Sequence, residues 1–328
     1  MIKTAVIGTG NMGKNHARVY SELNGASLVA IADSSKTGEE LAKRYNCNYY
    51  ADYNDMLESE DIDAISICVP TSLHKTVALD CIDNGKNILI EKPIATTVKE
   101  ADEILEAAEK KKIILTVGHI ERFNPAVNRL KEAMEHELGT PTSIIARRVG
   151  VFPPQIKHAN VILDLAVHDI DIFNYLIGAP PEEVFAKAGD ALKSGREDHA
   201  IIFLRYGEAI CVVQVNWLTP VKVRELSVTG ASGYAELNYI TQELRIFKSN
   251  YERKYDSFGE FMLKFGMPNE VMASVSKVEP LKVELTHFLD CVKNKKEPHV
   301  TGADGRLALL IATKAIESFH EGLPVKLE

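Results

Sequence analysis

The sequence predicts an α/β protein with two parts: a parallel sheet layered with helices, then a second α/β domain whose sheet is mostly antiparallel. Three observations carry this reading. Short, continuously apolar runs alternate with helix-like stretches up to about residue 118, the pattern of strands buried on both faces. A glycine-rich turn stands between the first such strand and the first helix. Beyond residue 180, strand-like runs follow one another with only turns between them.

Taken in order, residues 4–7 are a short apolar run that ends in Gly8, and 13–23 read as a helix. Residues 27–32 are the next strand, closing on Asp33, and 38–45 the next helix. Residues 64–69 are apolar nearly throughout and stop at Pro70. A helix over 74–83 is ended by Gly85. Residues 87–90 form a strand, 98–110 a charged amphipathic helix, and 113–117 a further strand. The pattern changes near Gly118, so the predicted domains are residues 1–118 and 119–328. In the second, helices are expected over 125–137 and from near Asp164 to just before Gly178. Strands fill 183–247, with turns at Tyr206-Gly207-Glu208 and Gly230-Ala231-Ser232-Gly233. Residues 248–278 mix aromatics, charges and methionine and read as a long loop with short helices. Helices over 281–293 and 305–321 complete the chain.

Composition narrows the function. The 328 residues are 45% hydrophobic and 26% charged, enough to bury an ordinary core. A formal net charge of −8 argues against a nucleic-acid or anionic-membrane surface, which needs clustered Lys and Arg. The cysteines (Cys47, Cys68, Cys81, Cys211 and Cys291) are odd in number and form no Cys-x-x-Cys pair, so neither a disulfide framework nor a zinc site is expected. Cys68 reads as a small buried hydrophobe. With no signal-peptide pattern and no apolar span near 18–20 residues, a reducing cytoplasm is the expected compartment.

Gly8-Thr9-Gly10-Asn11-Met12-Gly13 fits G-x-G-x-x-G. Alone the match is weak, but here a strand precedes it, a helix follows, and Asp33 ends the next strand 20 residues after Gly13. Gly8 allows the tight turn, Gly10 lets backbone approach a pyrophosphate, and Gly13 lets helix pack on strand. The helix N-terminus offers N–H groups to phosphate, and Asp33 accepts from ribose hydroxyls. A carboxylate there repels the extra phosphate of NADP, so NAD is the expected cofactor, although Ser34, Ser35 and Lys36 follow at once.

Three further segments carry chemistry. Pro70-Thr71-Ser72-Leu73-His74 and Glu91-Lys92-Pro93 leave buried strands at the C-terminal sheet edge, where ligands bind in open α/β sheets. Lys92 there is either a solvated loop lysine or a cation beside a reacting alcohol. Asp164 and His168 are four apart and share a helix face. Taken alone, His168 is better read as a satisfied core or surface histidine. Asp164, Asp169 and Asp171 fit neither H-E-x-x-H nor an EF-hand, and no metal is expected.

Together these pieces resemble the Gfo/Idh/MocA family of oxidoreductases. The likeness rests on the glycine turn, Pro70-Thr71-Ser72-Leu73-His74, Glu91-Lys92-Pro93, Arg122-Phe123-Asn124-Pro125, Asp164-x-x-x-His168, Glu279-Pro280-Leu281-Lys282 and Thr301-Gly302-Ala303-Asp304-Gly305. It covers nearly the whole chain. Many members carry glycines where this chain has His158-Ala159-Asn160-Val161-Ile162-Leu163, a departure that bears on the substrate pocket.

The resemblance implies a Rossmann domain, a C-terminal domain with a large, mostly antiparallel sheet for substrate binding and oligomerisation, and a homo-oligomer, dimer or tetramer, formed through that sheet's open face. It implies Lys92, Asp164 and His168 as catalytic residues. Cofactor contacts would come from Gly8, Gly10, Asn11, Met12, Gly13, Asp33, Pro70, Thr71, His74, Glu91 and Lys92, and substrate contacts from Arg122, Asn124, Arg147, Asn160 and His168. Arg122 and Arg147 are candidates for a phosphate or for structural ion pairs; His74 and His119 would meet the nicotinamide ribose or cap loops. The expected reaction is NAD-dependent oxidation of a sugar secondary alcohol, with nucleotide-sugar members the nearest pattern and a PLP-dependent aminotransferase as the coupled enzyme. Inositol or another polyol, a non-sugar ring, and a non-catalytic dinucleotide-binding regulator are the alternatives.

Overall fold

A computed structural model describes residues 1–152, 159–248, 251–255, 261–265 and 269–327. In chain order the elements are β1 (Ile2–Ile7), α1 (Gly13–Glu22), β2 (Ala26–Ala32), α2 (Lys36–Tyr45), β3 (Asn48–Tyr50), α3 (Tyr53–Ser59), β4 (Ala64–Ile67), α4 (His74–Asp83), β5 (Asn87–Ile90), α5 (Val98–Lys111) and β6 (Leu115–Val117). There follow α6 (Pro125–Ala133), β7 (Pro141–Val151), α7 (Val167–Ile177), β8 (Glu183–Gly189), β9 (His199–Tyr206), β10 (Ala209–Asn216), β11 (Leu218–Gly230), β12 (Gly233–Asn238) and β13 (Glu243–Lys248). The remainder is β14 (Tyr251–Tyr255), β15 (Phe261–Phe265), β16 (Asn269–Met272), α8 (Pro280–Asn294), α9 (Gly302–Glu321) and β17 (Val325–Lys326).

The chain divides into two compact units, Met1–Phe123 with Val278–Thr313, and Asn124–Lys277 with Lys314–Glu328. The sequence reading cut the chain once, at 118/119; the first unit instead takes back a late segment. The reason is apolar. Leu281, Leu285, Phe288 and Leu289 of α8 are buried in one cluster with Val6, Ala17, Tyr20, Ile31 and Leu89. Polar ties add to it: Thr116 Oγ1 donates to the Val300 carbonyl at 2.7 Å, and Arg306 pairs with Asp102.

The first unit holds a six-stranded sheet in the order β3-β2-β1-β4-β5-β6, parallel throughout. This is the doubly-wound order that places a crevice at the carboxyl ends of β1 and β4. β1, β4 and β5 are buried on both faces, which explains their unbroken apolar runs. β3 and α3 were not expected from the sequence, because β3 is three residues long and half exposed. Helix α5 begins with a capping box, Thr97 and Glu100 satisfying each other's backbone N–H groups.

The second unit holds a nine-stranded sheet, order β16-β13-β12-β11-β7-β10-β9-β8-β17. Every pair is antiparallel except β7–β10. β7, which the sequence reading missed, lies between β11 and β10. One face is apolar core: Ile144, Ala146, Val213, Ile202 and Leu226 are buried. The opposite face carries Ile145, Ile201, Phe203 and Ile210 in the open. The long loop expected at 248–278 is instead partly strand, β14 pairing β15 and β16 joining β13. Among the described residues no helix is long and apolar enough to cross a membrane.

Candidate functional site

In the first unit, β1 runs into the glycine turn and α1. Gly8 has φ +89°, and a Cβ there would lie 2.7 Å from the Cys68 carbonyl oxygen. A Cβ on Gly13 would lie 1.8 Å from the Gly8 carbonyl oxygen. Both positions exclude any side chain, as the motif requires. Gly10 differs: a Cβ there meets nothing within 4 Å, so the backbone is open above the helix end. Asn11 is exposed and Met12 half-buried beside it. This cradle of backbone and helix N-terminus fits a dinucleotide pyrophosphate.

Asp33 stands at the end of β2. Thr9 donates to its Oδ2 from backbone N (2.5 Å) and Oγ1 (2.8 Å), and Ser35 N donates to Oδ1 at 2.7 Å. Burial pushes this carboxyl up, but the hydrogen bonds from Ser35 and Thr9 outweigh it and hold it below its ordinary value. Thr9 and Ser35 therefore hold the carboxylate in place at the end of β2, where the motif expects it. The Thr9 and Ser35 ties were not anticipated; polar residues flanking the motif were their only signal.

Two expected cofactor ligands are otherwise engaged. His74 is buried, with Nδ1 2.9 Å from the Pro93 carbonyl and Nε2 3.0 Å from that of Val69, so it braces two loops. Glu91 is buried 3.0 Å from His16 Nε2 and accepts from Lys92 N at 3.3 Å. His16 Nδ1 in turn meets Ser66 Oγ, which meets the Tyr20 hydroxyl. Burial pushes Glu91 up, but the bond and charge of His16 outweigh it and hold the carboxyl low. Both residues brace the sheet edge from inside. Pro70 and Thr71 are at its accessible lip, His119 is buried, and Lys92 is half-buried just after β5.

In the second unit, Asp164 lies in a π-turn, Ile162–Ala166, that leads into α7, and His168 is in the first turn of α7. The pair therefore does not sit on a regular α-helix as expected; the wider turn re-aims Asp164. Both side chains are half-buried, and Trp217 Nε1 donates to Asp164 Oδ2 at 3.3 Å. Asn160 begins the turn, accepting from Leu163 N and donating to Glu197. Asp169 is not available to a metal, because Arg148 grips it with Nε at 2.7 Å and a second nitrogen at 3.1 Å. Among the described residues no group of three His, Cys, Asp or Glu could hold a metal ion.

Three expected substrate ligands have structural partners. Arg122 is buried and pairs with Asp304 at 3.1 Å. Arg147 is half-exposed and pairs with Glu225 across the sheet at 2.7 Å. Side chains alternate along a strand, so Arg147 faces away from the side on which Arg148 meets α7. Asn124 caps α6, accepting from Ala126 N and donating to the Tyr239 carbonyl. His158, in the segment that departs from the family pattern, and residues 249–250, 256–260 and 266–268 of the aromatic stretch 248–278 lie outside the described residues.

A family model described as "Oxidoreductase family, NAD-binding Rossmann fold" matches residues 2–119, and one described as "Oxidoreductase family, C-terminal alpha/beta domain" matches 131–327. UDP-N-acetylglucosamine 3-dehydrogenase of Acidithiobacillus ferrooxidans is 27% identical over 323 residues, covering 97% of this chain and 98% of that one. scyllo-Inositol 2-dehydrogenase (NAD(+)) of Bacillus subtilis is 29% identical over 344 residues, covering 100% and 96%. A solved structure of the Acidithiobacillus ferrooxidans UDP-N-acetylglucosamine 3-dehydrogenase matches with TM-score 0.85 at 25% identity, covering 98% of each chain.

Proposed function

The chain belongs to the Gfo/Idh/MocA oxidoreductase family, and on that premise we propose that it oxidises the 3-hydroxyl of UDP-N-acetylglucosamine to the ketone. The class of reaction is NAD-dependent dehydrogenation at CH–OH. The observation that carries the finer reading is likeness over the full length to a nucleotide-sugar dehydrogenase, in sequence and in fold.

Bound NAD would supply the hydride acceptor for the carbon that carries the hydroxyl. Gly8, Gly10, Asn11, Met12 and Gly13 would hold its pyrophosphate and Asp33 its adenosine ribose, with Pro70 and Thr71 at the lip. His168 takes the hydroxyl proton, a task suited to an imidazole with an unperturbed pKa of about 6.5. Lys92 supplies positive charge to the developing alkoxide. Asp164 orients His168. A second copy of the chain packs on the open sheet face, giving a dimer or tetramer. Because oxidation by NAD favours the alcohol near neutral pH, a PLP-dependent aminotransferase that consumes the ketone is the expected coupled enzyme.

Inositol is the second reading, favoured by the 29% identity to scyllo-inositol 2-dehydrogenase. It gains weight because the arginines expected to take a diphosphate are ion-paired within the chain. The test follows NADH formation with UDP-N-acetylglucosamine, myo- and scyllo-inositol and free sugars, with and without the trapping enzyme. Deuterium at C3 of the nucleotide sugar should appear in the reduced cofactor. Turnover of inositol but not of the nucleotide sugar overturns the substrate and leaves the reaction class. Lys92→Ala and His168→Ala should each lose about 10²–10⁴-fold in kcat with cofactor binding intact. Near-normal turnover removes that residue from the mechanism.

A further inference from the structure

The protein has one tryptophan, Trp217, and it lies where β10 passes into β11 around the end of β7. On one side Asn216 pairs with Val149 in parallel; on the other Leu218 pairs with Val151 antiparallel. The corner is held tightly. Trp217 N donates to the Asp198 carbonyl at 2.9 Å. Asn216 Oδ1 accepts from Leu218 N, Thr219 N and Thr219 Oγ1 at 3.0, 3.0 and 2.8 Å. The indole is 3% exposed and meets the Phe152 ring edge-on at 5.4 Å between centroids. An indole N–H can only donate, and a buried one without an acceptor is costly. Its acceptor is Asp164 Oδ2, at 3.3 Å, in the π-turn that leads to His168.

We propose that Trp217 is a positioning residue: its N–H, fixed by the β10–β11 corner, sets the orientation of the Asp164 carboxylate and through it the imidazole of His168. This rests on the roles proposed above for Asp164 and His168. The π-turn explains why such a tether is needed. A π-turn is wider and less regular than an α-turn, so the turn alone leaves the carboxylate's direction less determined. A ring locked in a sheet corner supplies a rigid reference, as a catalytic constellation requires of its supporting side chains.

A single tryptophan makes residue-wide replacement site-specific. In a tryptophan auxotroph, Trp217 is exchanged for benzothienylalanine, which keeps the ring shape and puts sulfur where the N–H was. A second preparation carries 5-fluorotryptophan, which keeps the N–H. The benzothienyl protein should unfold like the parent and bind NADH unchanged. Its kcat should fall about 10- to 100-fold, as for loss of a hydrogen bond to a charged group. The pH profile of kcat/KM should shift, and the fluorotryptophan protein should keep the parent's rate and profile. With indole nitrogen labelled, the one ring N–H resonance should move in Asp164→Ala. Parent-like rate and pH profile in the benzothienyl protein, while Asp164→Ala is slow, overturn the role of Trp217 and leave that of Asp164. Parent-like turnover in Asp164→Ala, or no oxidation of any sugar alcohol by the parent, overturns the reading of the site, and the role of Trp217 falls with it.

Discussion

Glu284 shows what an isolated charge costs. It lies 1% exposed on the core face of α8, and neither carboxylate oxygen has a hydrogen-bond partner among the described residues. Burial first, and Glu91 nearby, push its carboxyl well above the ordinary value. The folded state therefore retains this proton at pH values where the unfolded chain, with an ordinary carboxyl near 4.3, has lost it. Such a group supports folding in acid and withdraws that support as pH rises above the unfolded value toward the folded one. Glu284→Gln should flatten this dependence and stabilise the protein at pH 8 by about 1–3 kcal/mol, with little effect at pH 4; urea unfolding at both pH values checks it. Asp33 is the opposite kind of carboxylate, held charged by its neighbours. Asp33→Ser removes the proposed ribose acceptor together with the loop ties to Thr9 and Ser35. Binding of either cofactor should weaken, while the NADP/NAD ratio of kcat/KM rises about tenfold or more as charge repulsion is lifted. An unchanged ratio would show that Asp33 does not discriminate.

Helix α7 is tied to β7 by a buried ion pair rather than by apolar packing alone. Arg148 and Asp169 are 5% and 1% exposed, and the guanidinium also lies over the Tyr239 ring. Arg148→Met strands the carboxylate and should cost about 3–5 kcal/mol, whereas Arg148→Met with Asp169→Leu should recover most of it; denaturant midpoints of the three proteins decide. This tie also marks where sequence reading runs out. Elements with an unambiguous period were legible: β1, β4 and β5 as apolar runs, α5 from its amphipathic pattern, the glycine turn from its flanks. β7 was not, because its core face alternates Ile144, Ala146 and Arg148, and a buried arginine reads as surface. The same ambiguity chose Arg147 over its buried neighbour. Glu284 did carry a signal, a charge three residues after Leu281 and one before Leu285 on the face of α8 that packs into the core. Of the candidate site, residue types and spacing were readable, but partners were not. Whether Asn124 caps a helix or binds sugar depends on Ala126 and Tyr239, and only folding brings Tyr239 to it.

At the scale of the molecule, the nine-stranded sheet carries an apolar row on its open face, with ion pairs such as Arg147–Glu225 beside it. Ile145, Val212, Phe203 and Phe185 stand in register across β7, β10, β9 and β8. It is the row on which the proposed second copy of the chain would pack. Phe203→Lys puts a charge into it and should weaken self-association roughly tenfold or more, seen as a smaller species by sedimentation velocity; an unchanged species removes this face as the interface. The first unit, for its part, is built from both an early and a late stretch of chain. During translation, Tyr20 and Ala17 leave the ribosome long before the Leu281 and Phe288 that share their cluster. At about 5–20 residues per second the wait between Phe123 and Val278 is roughly 8–31 s. For that interval the apolar surface that α8 will cover stays open, and such surface is prone to aggregation. A message truncated within it should yield a chain with a complete glycine motif but an open core, and limited proteolysis should cut that chain faster than the full one.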